Sequence, residues 1–287
     1  MKLMVAYVAT PGGADAVALG VRLARTLDAE LEICVVMKRE PADTVAPMEF
    51  FSEELTAHAN EWVAEALAEV PEDVTATAHV AVHDSIAGGL IEECGRTDAV
   101  ALIVGGSGGG LMGGLSLGSV VNELLHSSPV PVLLAPGGIR HSSVATVTGI
   151  TCAVGELPGA RALLDTAARA CARGRLPLRV VSLVAVDADR RRGDQTEVRE
   201  RARAHAEKAM KLVEAEVPDT VSVTTAVAEG RTIEDAVNAL EWRDGEIILV
   251  GSSRLAAPQR LFLGSTAAKM MRVLAVPMAV VPKDMGR

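Results

Sequence analysis

Apolar positions along the chain alternate between short continuous runs and helical spacing. The run LMVAYVA (3–9) reads as a strand, ADAVALGVRLARTLDA (14–29) as a helix with one apolar face, and ELEICVVM (30–37) as a second strand. A long amphipathic helix follows from about Met48 to Glu69, stopped before Pro71. Then come a strand at TATAHVAV (75–82), a helix from Ile86 to Gly95, and a run typical of a buried strand, AVALIV (99–104). A helix from Leu117 to Ser127 and a closing strand, PVLLA (131–135), complete the set. Strands separated by helices imply parallel pairing through right-handed crossovers, so an open α/β sheet covered on both faces is expected.

The same order is written twice. ALIVGGSGGGLMGGLSLGSVVNELLHSSPVPVLLAP (101–136) is echoed without a gap, at an offset of 146, by IILVGSSRLAAPQRLFLGSTAAKMMRVLAVPMAVVP (247–282). Gly105 meets Gly251, Gly118 meets Gly264, Ser119 meets Ser265 and Pro131 meets Pro277. Two copies of that length are two domains, not a solenoid. One α/β domain is expected over 1–138 and a second over 142–287, with PGGIRHSS (136–143) as the natural linker.

Composition removes several function classes. The longest apolar runs are strand-sized, far short of the roughly 20 residues of a membrane span, and no small-residue cleavage site follows Lys2. A cytoplasmic protein without membrane insertion is expected. The four cysteines lie far apart with no C-x-x-C pair, as buried small hydrophobes do in a reducing compartment. His79 and His83 stand four apart in a strand, a spacing that gives no paired helical ligands, and no metal site is expected. Residues 1–140 carry 7 Lys and Arg against 19 Asp and Glu, and 141–287 carry 21 against 18, so the halves differ at −12 and +3. Opposite signs favour contact between them. An acidic chain with 2% aromatic residues lacks both the phosphate-neutralising surface and the stacking platforms of a nucleic-acid binder. The basic stretch DADRRRGDQTEVRERARAHAEK (187–208) interleaves acids within helical reach and reads as a solvated helix.

The densest signal is GGSGGGLMGGLSLGS (105–119), eight glycines in fifteen residues at the end of a strand. Ligands of open α/β sheets bind beyond the carboxyl ends of strands, and Gly118–Ser119 opens the following helix, whose N–H groups and dipole favour an anion. No G-K-[ST] follows, so the loop is not a Walker A motif. The glycines follow the fourth strand and no acidic residue stands about 20 positions on, so it is not the dinucleotide fingerprint. What remains is G-x2-G-x9-G-S, met by Gly105, Gly108, Gly118 and Ser119.

This motif resembles the nucleotide-binding signature of the universal stress protein family, and the likeness runs over almost the whole chain twice. It implies two tandem five-stranded parallel sheets in strand order 3-2-1-4-5, with helices on both faces. The last strands would pair within one chain, leaving a homodimer open. It implies an adenine nucleotide (ATP, ADP or AMP, with or without Mg2+) whose phosphates lie along the loop, with the Ser119 hydroxyl on them. The backbone of Val130 and Val132 would stand beside sugar and phosphate. Where the family commonly has V-D-G-S after the first strand, with the aspartate on the adenine edge, this chain has VATPGGAD (8–15), placing Thr10 at that position. Asp15, at a helix start, is suited to capping. The family's glycine after the third strand is replaced by the bulkier neighbourhood His83, Asp84 and Ser85. The second-half loop is degenerate: Gly251, Arg254, Gly264 and Ser265, with an arginine at the second glycine position. Arg254 and Arg260 either grip phosphate directly or face solvent in a loop that has lost its ligand.

Three functions stay open. The first is a nucleotide-binding protein acting in stress response or sensing, the second an interaction scaffold without nucleotide, and the third a slow ATPase. No catalytic residue is assigned, since Asp84, Asp15 and Glu123 near the loop have no motif behind them.

Overall fold

A computed structural model describes residues 1–39, 48–106, 118–155, 160–185, 195–252 and 261–283, with the side chains of 48–55, 195 and 198 left aside. The first half runs β1 (Lys2–Ala6), α1 (Pro11–Leu27), β2 (Glu30–Lys38), α2 (Met48–Ala68), β3 (Ala76–His83), α3 (Ile86–Thr97), β4 (Ala99–Gly105), α4 (Ser119–Ser127) and β5 (Val132–Ala135). The second runs β6 (Gly149–Ala153), α5 (Ala160–Gly174), β7 (Leu178–Ala185), α6 (Gln195–Glu214), β8 (Val223–Gly230), α7 (Ile233–Asn238), β9 (Glu246–Gly251), α8 (Ser265–Met271) and β10 (Met278–Val281).

Each half takes the order 3-2-1-4-5, but the two sheets are merged into one of ten strands, β3-β2-β1-β4-β5-β10-β9-β6-β7-β8. The junction is antiparallel, with Met278 opposite Leu134 and Val280 opposite Val132, while the other pairs are parallel. The physical reason is the edge: β5 and β10 are short strands buried at all four positions, and an unpaired row of N–H and C=O groups there would be costly. The order reads the same from either end, as an approximate two-fold axis between β5 and β10 requires.

Both cores cross that junction. On one face Leu3, Val5, Ile33 and Leu19 join Ile150, Leu163, Leu178 and Val213 in a single cluster. On the other, Met4, Leu102, Leu124 and Val132 join Ile248, Met270 and Met278. The central strands are apolar on both faces, which is why they read as continuous runs. All four cysteines are free and buried.

The start of α1 differs from the sequence expectation. Apolar spacing placed the helix from Ala14, yet it begins at Pro11, with Thr10 as its N-cap accepting a hydrogen bond from Gly13 N–H (3.2 Å). Proline is suited to the first helical position because its missing N–H has no partner to lose there. One face of α1 then holds the segment between the halves. Arg22 donates to Ile139 O (2.7 Å) and Ser142 O (3.1 Å), and Thr26 Oγ1 accepts from Val147 N–H (2.8 Å).

Candidate functional site

The order of strands reverses between β1 and β4, so the crevice expected of an open α/β sheet lies at their carboxyl ends. Main chain already meets main chain there. A Cβ built on Gly105 would stand 2.9 Å from Gly12 Cα with the Gly12 carbonyl nearer still, and one on Gly12 would press the Gly106 carbonyl. Both residues are glycine because the crossing leaves no room for a side chain. Gly12 was missed in sequence reasoning, since its partner lies 93 positions away. PGG was the available signal.

Thr10, which stands where an adenine-reading carboxylate is common in the resemblance, is occupied locally. Its hydroxyl lies 3.4 Å from Val8 O as donor and accepts from Gly13, and its N–H donates to Val8 O (2.6 Å). Asp15 does not cap α1. Its carboxylate, 1% exposed, accepts from Gly138 N–H (2.9 Å) and Arg140 N–H (3.1 Å) and pairs with Arg140 Nη1 (2.9 Å). Thr10 already performs the capping, which frees Asp15, more than a full turn further, to hold the segment after β5. Arg140 also donates to Pro11 O (3.0 Å), tying that segment to the Pro11–Gly12 turn.

The helix start expected at Gly118–Ser119 is present. Gly118 is the N-cap of α4, extended at φ −73° and ψ 166°, and makes no side-chain cap hydrogen bond; Ser119 is exposed at the first helical position. The first intrahelical bond runs from Asn122 N–H to Gly118 O (3.0 Å), so the preceding amides of the turn point outward as a helix N-terminus leaves them. Gly108 lies outside the described residues. Val130 and Val132 are not brought to this end: β4 and β5 are parallel with Gly105 opposite Ala135, which puts Val132 three residues, roughly 10 Å, down the strand.

The remaining polar groups near the loop are engaged. Ser85 caps α3 by accepting from Gly88 N–H (3.2 Å) and donates to Glu123 Oε1 (3.0 Å), linking α3 to α4. Asp84 stands 3.3 Å from Arg39. The bulk of His83 is taken up by a glycine pair, since a Cβ on Gly88 would fall 2.6 Å from its ring. No group of His, Cys, Asp and Glu suited to a metal ion occurs among the described residues. Glu32 and Glu246, buried carboxylates, lie toward the opposite pole. Glu32 pairs with Lys2 and accepts from Thr77, and Glu246 pairs with Arg179 and accepts from Thr151. A depression of about 440 Å3 lined by Met1, Lys2, Glu32, Arg96, Thr97 and Asp98 also opens at that pole, away from the glycine loops.

The second half repeats the end geometry. Gly264 caps α8 at φ −72° and ψ 160° without a side-chain bond, and Ser265 is exposed. Gly251 ends β9, and among the described residues the nearest atom to a Cβ built there is Leu163 Cδ2 at 3.7 Å; the counterpart of Gly12, Pro158, lies outside the described residues. Arg254 and Arg260 lie outside the described residues.

The model of the Universal stress protein family matches residues 1–136 and again 148–282. The chain belongs to the universal stress protein family. Over 295 aligned residues it is 28% identical to the universal stress protein Rv2319c of Mycobacterium tuberculosis and to Mb2346c of Mycobacterium bovis, covering 98% of this chain and 100% of each relative. In fold it is similar to a universal stress protein from Archaeoglobus fulgidus, with a TM-score of 0.73 at 16% identity over 99% of this chain and 98% of that one. No helix among the described residues is long and apolar enough to cross a membrane.

Proposed function

We propose that this tandem universal stress protein binds one adenine nucleotide (ATP, ADP or AMP) in its first half and acts as a sensor in stress response. The observation that carries this reading is the start of α4. A helix of nine residues opens on Gly118 and Ser119 with no side-chain cap hydrogen bond among the described residues, after the loop leaving the carboxyl end of β4. Such an end attracts an anion through unspent donors and the helix dipole. The donor set fits phosphate: bare backbone amides and one hydroxyl, with no side chain on Gly118 to bar an oxygen at about 3 Å. The second half keeps Gly264 and Ser265 but carries Arg254 in place of a glycine, so one nucleotide per chain is expected, not two.

A second reading has an observation of its own. The main chain of Gly12 lies tight against that of Gly105 and Gly106 at the crevice between β1 and β4, and the side chains of Thr10 and Asp15 are spent within the fold. That favours a scaffold built on the paired sheets. Calorimetric titration with ATP, ADP and AMP separates the two, supported by mass spectrometry of nucleotide released on denaturation. One site per chain that disappears in Gly118→Val, with the fold retained by circular dichroism, supports binding. No uptake favours the scaffold, two equivalent sites overturn the asymmetry, and ATP converted to ADP in step with protein concentration makes the chain a slow ATPase.

A further inference from the structure

The second-half loop leaves β9 at Gly251 and returns to α8 through Leu261, Phe262 and Leu263, and this returning limb does not stay with its own half. Leu261 N–H donates to Ser128 O (2.9 Å) and Leu263 N–H donates to Leu125 O (3.1 Å). Both acceptors belong to the end of α4, where a helix leaves its last carbonyls without intrahelical partners. The two leucines are buried in the cluster that contains Leu124 and Leu125 of α4 and Met270 and Met271 of α8. Between them the Phe262 ring meets His126 of α4 edge-on, with centroids 4.9 Å apart and planes at 85°. The limb is itself held by Ser252, whose Oγ accepts from Phe262 N–H (2.7 Å) and donates to Phe262 O (3.2 Å).

The helix gripped in this way is the one whose other end carries Gly118 and Ser119. Nine residues make a rod about 13 Å long, too short to bend, so fixing its C-terminus aims its N-terminus. From these contacts we infer that Leu261–Leu263, held by Ser252, is a positioning element that the second half contributes to the first-half nucleotide site. The inference rests on the nucleotide reading above. It gives the second loop a task that needs apolar side chains and backbone N–H groups but no run of glycines. An oriented donor set loses affinity steeply with displacements of about 1 Å, so a slack limb registers at the far end of α4.

Ser252→Ala removes the hydroxyl that holds the limb, and Ser252→Thr keeps one. In the full chain, ATP binding is read by calorimetry, and amide exchange of α4 is read by mass spectrometry without ligand. Gly118→Val is included to assign the ATP to the first half. Ser252→Ala is expected to weaken ATP binding about 3- to 10-fold, the range for losing one or two hydrogen bonds, and to raise exchange at the hydrogen-bonded α4 amides from Asn122 onward. Ser252→Thr should restore both. Unchanged affinity, exchange that rises only around 261–263, or ATP binding that persists in Gly118→Val each overturns the inference. A wild-type chain that takes up no ATP fails the nucleotide reading instead, and the exchange arm then still distinguishes a limb that orders α4 from an inert clasp.

Discussion

The repeat supplies an internal control for the glycine at the end of the fourth strand of each half. Gly105→Ala and Gly251→Ala are the same substitution at positions 146 residues apart, in strands of the same rank. At Gly105 the new methyl stands 2.9 Å from Gly12 Cα, with the carbonyl of Gly12 closer. Carbon atoms pack at about 3.5–4.0 Å, so α1 and β4 have to part by on the order of 1 Å or more. Backbone on both sides leaves no rotamer to absorb that shift, and the cost should reach about 3 kcal/mol, the upper part of the range for overpacking. At Gly251 the nearest atom among the described residues is Leu163 Cδ2 at 3.7 Å, an ordinary contact, and the change should stay within about 0.5 kcal/mol. Neither glycine has a positive φ, so steric room alone separates them. Guanidinium unfolding of the two variants beside the wild type measures the difference. Equal costs, or the larger cost at Gly251, would refute the claim that the first-half glycine is demanded by the crossing of main chains.

Other outcomes follow from buried groups. Burial pushes the Cys34, Cys94 and Cys171 thiols up to about 12 and Cys152 further in the same direction, so none should react with a thiol reagent at pH 8 until guanidinium opens the fold. A thiol that reacts at once in the native protein contradicts that packing. Asp15→Asn places an amide among the donors of Gly138 and Arg140 and should cost about 2–3 kcal/mol, read by unfolding, with faster proteolysis between 136 and 147. Wild-type resistance in that variant would leave the segment held by other contacts. For Glu32, burial pushes the carboxyl up, but hydrogen bonds from Lys2 and Thr77 outweigh it and hold the group below its ordinary value of 4.5. Its folded-state value is the lower one, so its contribution is present above about pH 4.5 and is lost as pH falls through the folded value. Glu32→Gln should therefore flatten the decline in stability below pH 5; an unchanged slope would show that the carboxylate is not linked to folding.

What the sequence made legible was local or periodic. The alternation of apolar runs and helical spacing placed the strands within a few residues, and the 146-residue offset carried over to the ends of the elements: Gly118 and Gly264 cap their helices with nearly the same dihedral angles. What it hid depends on distant partners. The duty of Asp15 is decided by Gly138 and Arg140, more than 120 residues away, and a carboxylate near a helix start ordinarily reads as a cap. The register of β4 against β5 decides that Val130 and Val132 lie down the strand from Gly105, and no pattern within either strand states that register. Thr10 followed by Pro11 was a legible helix start, passed over because the apolar spacing that marks the helix begins only at Ala14.

The two loops show that the demands on this part of the fold are separable. LSLGS (115–119) and LFLGS (261–265) share the leucines and the glycine-serine helix start, whereas beyond Gly105 and its counterpart Gly251 the glycines upstream occur in the first half alone. Where it is described, the limb Leu261–Leu263 packs its leucines into the core under α4 and spends its N–H groups on α4 carbonyls. Those contacts depend on apolar volume and on backbone, so they tolerate arginine and proline elsewhere in the same loop. A close approach of main chain to phosphate does not, because each Cβ occupies the space an oxygen would take. Relaxing the second requirement in one half while keeping the first leaves the paired sheets intact, and the divergence between the halves then falls on the loops and not on architecture.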